Sequence, residues 1–315
     1  MLEFLKAVIS SIFSLFLVLV FTFLSFIQNL SIPYQDDDFQ IQSQQTNIYD
    51  YDDSSELIRD EDAYQTALND VNALRKKCFY GTNQYLSGKV TAVVLYVSDF
   101  ESSWTDEFKD EFTENDIEPA LEFLENEAQK YGVELDFEIK VLDNAYYDDE
   151  VIIDLNADGQ VTVNVLDNAA ESYDFYSDYD LHDWMMESCG TDVLFITVFN
   201  KPGISYGLNP KPGTDLDAVE HTVTFSIDLD YQTKYEPGTC APLVANGILY
   251  LYGGESLNKP SSRRPISQKL YPNDIMRYQT FDISDSDIGE ATAYYIGWID
   301  EVPEAVYSVG WNETE

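Results

Sequence analysis

The residues from Cys240 to Leu257, CAPLVANGILYLYGGESL, carry the spacing in this chain that comes nearest to a catalytic centre. Val244 to Tyr252 is an apolar, helix-forming run that stops at Gly253-Gly254, a usual C-terminal helix signal. On such a helix, positions 246 and 250 share one face, and 253 lies about two turns on from 246. That is the spacing at which a helix presents two ligands to one metal ion. The side chains here are Asn246 and Tyr250, with Gly247 between them and Ser256 beyond the glycines. An amide is a poor neutral oxygen ligand, and a phenol binds only weakly or as phenolate. Two histidines in the whole chain, His182 and His221, cannot assemble a His-rich zinc site alone.

Other constellations are weaker. Asp154, Asn156, Asp158 and Gly159 match the first half of a calcium loop, DxNxDG. The twelfth position, where a bidentate Glu belongs, is Val165, so a hairpin turning at Ala157-Asp158-Gly159 accounts for the segment better. Asp274 and Glu255 could pair as catalytic carboxylates, but acidic residues are everywhere in this chain. A GxSxG nucleophile signature and phosphate-binding glycine loops are absent.

The helix and its sequel resemble the zinc-binding segment HExxHxxGxxH/D and the Met-turn of the metzincin clan of metallopeptidases. Gly253 stands where that family's glycine turns the chain, and Asp274-Ile275-Met276-Arg277-Tyr278 looks like the Met-turn. Under this resemblance Asn246 replaces the first His, Gly247 the general-base Glu, Tyr250 the second His and Ser256 the third ligand. The retained scaffold is Gly253, Asp274 and Met276; the chemistry is missing. Specific motif evidence is confined to Ala245–Ser256 and Tyr271–Tyr278, and element order extends the likeness to about Lys89–Asp300. The resemblance implies an α/β (α+β) zincin-like domain with a mixed sheet, no bound zinc and no catalytic residue. The bland alternative is an ordinary buried helix with an accidental likeness.

The elements that must position these residues follow in order. Ala7 to Ile27 is uncharged and long enough to cross a bilayer as a helix. Lys6 precedes it and Asp36, Asp37 and Asp38 follow, which puts the remainder of the chain outside the cell. A signal anchor over 1–30 is expected, with a secreted product if the segment is cleaved. An acidic, flexible tether over 31–55 and a helical lead-in over 56–88 come next, then the zincin-like domain, 89–315. Lys89 to Asp99 reads as a central strand, and Thr105 to Tyr131 as helix with Ala120, Leu121, Leu124 and Ala128 as its apolar stripe. Val133 to Leu142 reads as a half-buried strand, and a helix runs from at least Asp180 to Cys189. Strands at Asp192–Phe199 and Thr222–Asp230 flank a Gly/Pro-rich lip, and Ser284-Asp285 is expected to cap a helix through Trp298. His221 is expected to be exposed, and His182 structural.

Composition narrows the function. There are 58 acidic against 17 basic residues, a net charge of −41, and such a field repels nucleic acid. Hydrophobic residues at 44%, with 23 tyrosines, suffice for a packed core. Three cysteines, Cys78, Cys189 and Cys240, allow at most one internal disulfide. The expected function is a membrane-anchored, extracellular pseudopeptidase whose former active-site cleft binds a peptide or protein. The alternatives are a hydrolase with an unrecognised non-zinc site and an unrelated structural surface domain.

Overall fold

The computed structural model describes residues 57–69, 82–83, 85–142, 153, 155–157, 159–162, 164–208, 219–229, 234–278 and 280–311. Five strands form one mixed sheet: β1 (Gly88–Val97), β2 (Leu135–Leu142), β3 (Asp192–Gly203), β4 (Tyr206–Leu208) and β5 (His221–Asp228). Their order is β2-β1-β3-β5-β4, with β4 alone antiparallel to its neighbour. This is the α/β architecture with a mixed sheet that the sequence predicts.

Strand positions follow hydropathy. β1 is buried from Val90 to Val97, as a strand covered on both faces must be. The more polar β2, LDFEIKVL, takes an edge and exposes Asp136, Glu138 and Val141. Helix α1 (Glu61–Asn69) precedes the sheet, and α2 (Asp106–Phe112) follows β1, its first turn capped by the Thr105 hydroxyl. A π-helical turn at Thr113–Ile117 joins α2 to α3 (Glu118–Lys130), which buries the expected stripe, Ala120, Leu121, Leu124 and Ala128.

Two layers of helix cover the sheet. α3 and α6 (Ala241–Leu251) pack with Val90, Ala92, Val94, Leu194 and Ile196 on one face. α4 (Val165–Ser172) and α5 (Asp178–Cys189) pack with Val93, Leu95, Val193 and Phe195 on the other. α7 (Arg264–Leu270) and α8 (Glu290–Tyr295) complete the C-terminal part.

Several expectations are corrected. The lead-in is helical only over Glu61–Asn69 among the described residues, and Tyr85 to Ser87 are not helical. It docks on the domain's own C-terminal end, with Asp60 N–H donating to Tyr307 O (2.8 Å) and Val309 N–H to Ile58 O (2.7 Å). His221 is buried, because it opens the interior strand β5. α8 is capped by Gly289, whereas Ile283–Asp285 forms a separate 3-10 turn. The expected hairpin near Gly159 shrinks to one bridge, Leu155 to Val161, and Val165 starts a helix instead of a strand. The proposed anchor over 7–27, the tether, Cys78, Asp154 and Asp158 lie outside the described residues. No helix among the described residues is long and apolar enough to cross a membrane.

Candidate functional site

α6 is the buried axis of the site: every one of its eleven residues except Tyr250 is buried. Its N-terminus carries unpaired N–H groups, which attract a negative charge. Asp116, from the π-helical turn, supplies it. Its Oδ1 accepts from Cys240 N–H (2.7 Å), Gly238 and Ala241 N–H also donate to the carboxylate, and Oδ2 accepts from Tyr235 Oη (2.7 Å). Burial nonetheless pushes this carboxyl up to about 6. At the other end Gly254 N–H reaches back to Leu249 O (2.8 Å), and Gly253 takes φ +90°, a conformation natural to glycine. The predicted helix stop is therefore present in full.

The chain then returns past the turn at 274–278. Leu257 N–H donates to Met276 O (3.0 Å), and Asn258 Nδ2 donates to Arg277 O (2.6 Å). The turn is stapled from inside by Asp274, a fully buried residue. Its Oδ1 accepts from Met276 N–H (2.7 Å) and Thr292 Oγ1 (3.0 Å), and its Oδ2 from Gly289 N–H (2.8 Å). Burial pushes the Asp274 carboxyl up to about 7 against those three donors. Glu255 takes a different partner, Arg263 Nη1 at 3.1 Å, so the two carboxylates weighed as a catalytic pair serve separate structural bonds.

Of the four positions singled out in the sequence, Tyr250 meets Ser256, and Asn246 meets the turn at 275–276. Asn246 is buried, and its Nδ2 donates to Ile275 O (3.1 Å) and lies 3.2 Å from Met276 Sδ. Tyr250 hydrogen-bonds the Ser256 hydroxyl, and burial raises its phenol above the ordinary range. Gly247 faces β5, where a Cβ would stand 3.1 Å from Thr222 Cγ2. Strand β4 lies across the same turn of helix: a Cβ on Gly207 would come within 2.8 Å of both Gly247 O and Tyr250 Cβ. A side chain at 247 would therefore press on Thr222 of β5.

This donor set does not fit zinc. It offers an amide whose nitrogen already donates, a phenol, a hydroxyl and no imidazole. His182 sits on α5, against Phe195 on the opposite face of the sheet. His221 Nδ1 pairs with Val219 O (2.9 Å), and burial lowers its imidazole. Among the described residues no three His, Cys, Asp or Glu side chains gather closely enough to hold a metal ion. Of the calcium-like triad, Asn156 is described, and its Oδ1 accepts from Gln160 N–H (3.0 Å) within its own turn.

Asp116 is the residue that sequence reasoning missed. It lies 124 positions before Cys240 in a stretch crowded with acids, where nothing distinguishes it. The described part of the expected lip is largely strand, β3 to Gly203 and β4, and between them Ile204 N–H donates to Gly159 O (3.1 Å) and Ser205 N–H to Asp228 Oδ2 (2.7 Å). No protein-family model and no curated protein sequence matches this chain.

Proposed function

We propose that this chain is a non-catalytic, metzincin-like binding domain, held at the cell surface by the apolar segment 7–27 with its C-terminal domain outside. The observation that carries this reading is the closure of the former metal locus by neutral groups. Asn246 bonds the turn at 275–276, Tyr250 bonds Ser256, and β4 is seated on Gly247. The resemblance implies a peptide cleft beside this helix, and the residues present support no hydrolysis there. A peptide that adds to a sheet edge binds largely through backbone hydrogen bonds, which need no metal. β4 is the terminal strand of the sheet beside α6, so its edge is where such a segment adds. Tyr250, the one residue of α6 that is not fully buried, then offers the exposed part of its ring to the ligand.

Two measurements on the purified full chain test this. Elemental analysis after dialysis is expected to give no stoichiometric zinc; one zinc per chain overturns the reading. In a peptide-library pull-down, Tyr250→Ala is expected to weaken capture with little change in melting temperature. Lost stability with unaltered capture makes Tyr250 a plug for the cavity. Chelator-resistant, specific cleavage of a library peptide by the wild type would make the chain a hydrolase instead.

A further inference from the structure

Helix α5 lies on the sheet face away from the motif helix, and its own outer face is unusual. The inner face, with Leu181, His182 and Met185, is buried. The outer face carries Tyr179, Asp180, Asp183, Trp184 and Glu187, all exposed and repeating at helical spacing, with Tyr176 just before the helix. Tyr176 is 99% exposed, Trp184 42% and Tyr179 39%. A solvated helix face ordinarily carries charges and small polar groups, whereas Trp and Tyr are enriched where proteins meet. The face is also held rigidly. Ser177 caps the first turn, Gly190 ends the last, and buried Asp178 accepts from Asn164 Nδ2 (2.9 Å) and Val219 N–H (2.9 Å).

The chemistry of the face selects a cation. Lys140 Nζ stands 5.7 Å from the centre of the Trp184 ring, which also packs on Phe175 at 5.5 Å, so an ammonium group already lies against this indole within the molecule. Three carboxylates, Asp180, Asp183 and Glu187, share that face with the rings. The chain's charge of −41 repels nucleic acid, anionic lipid and a second copy of itself, and draws in cationic partners. We propose that the outer face of α5 docks a lysine- and arginine-bearing segment of a protein partner. Its side-chain cations lie between the three carboxylates and over the exposed rings. This surface is independent of the α6 and β4 site.

The test uses the full chain and a fluorescein-labelled lysine–leucine peptide, read by anisotropy. Asp180→Asn, Asp183→Asn and Glu187→Gln together are expected to weaken binding about tenfold, as loss of close charge pairs does. Glu111→Gln, Glu114→Gln and Glu118→Gln remove the same charge from exposed positions on and between α2 and α3, and are expected to change it less than about twofold. Trp104, Trp298 and Trp311 are buried, so acrylamide quenching reads chiefly Trp184. The bound peptide is expected to shield Trp184 from quenching. Equal weakening by both triple variants, unaltered quenching, or no binding by the wild type each overturns the proposal. None of these outcomes bears on peptide capture at Tyr250.

Discussion

At the scale of single residues, Asn246, Gly247, Tyr250 and Ser256 are built into the fold. Asn246 ties α6 to the turn below it, and the phenol of Tyr250 is satisfied by Ser256. Gly207 lets β4 approach the backbone of α6, Gly247 leaves room for the Thr222 side chain of β5, and their replacement tests these two contacts. Gly207→Ala places a methyl 2.8 Å from Gly247 O, where main chain on both sides must shift. It is expected to destabilise the domain by about 2 kcal/mol, the size of an overpacking penalty. Gly247→Glu places a carboxylate against buried Thr222 of β5 and is expected to destabilise by about 3 kcal/mol or more, without conferring zinc binding. Urea denaturation of each variant measures both losses.

At the scale of elements, α6 is placed by bonds at its two ends. The π-helical turn between α2 and α3 advances the backbone so that Asp116 meets the start of α6. A wider turn of this sort is commonly kept where it sets a particular side chain. Asp116→Ala leaves the donors of Cys240 and its neighbours inside the protein without their acceptor. It is expected to lower stability by about 2 kcal/mol, the upper range for losing a helix cap. Asp116→Asn keeps one acceptor oxygen and is expected to lose less. Thermal melts of the two variants check the order. A larger loss for Asn than for Ala would show that the charge and its cap do not hold the helix.

For the whole molecule, charge and burial together set a pH dependence. Asp116, Glu220 and Asp274 are buried carboxyls whose titration is raised, to about 6 for Asp116 and about 7 for Asp274. From about pH 4 upward the unfolded chain has released these protons while the folded chain still holds them. The folded state then binds more protons, and its stability falls as pH rises through that window. Two buried groups among the described residues oppose this. His221 is lowered by burial and loses stability as pH falls below its ordinary range. Asp99 is held low by hydrogen bonds from Lys201, Ser102 and Ile153 that outweigh its burial, and its contribution is lost only at still lower pH. The three carboxyls outnumber the one imidazole, and relief of self-repulsion among 58 acidic residues adds to them. The urea midpoint is therefore expected to be higher near pH 5 than near pH 7.5, with the gap narrowing in high salt. A midpoint that rises monotonically to pH 7.5 would contradict this assignment.

Periodicity by itself determined the strands from Lys89, Val133 and Asp192, the apolar stripe of α3 and the helix that ends at Gly253. These are local properties: runs of β-branched residues, a stripe every three to four positions, a glycine able to take positive φ. Asp274 and Met276 are singled out by resemblance alone, and the bonds that join their turn to Asn246 and Leu257 come from the folded chain. What the tertiary structure decided were contacts between residues far apart in sequence. Asp116 at the head of α6, Gly207 against Gly247, and the burial of His221 depend on which strand neighbours which, and no local pattern encodes that choice. Acidic residues also mask one another, since a carboxylate that caps a helix and one that faces water look alike until the chain closes around the first.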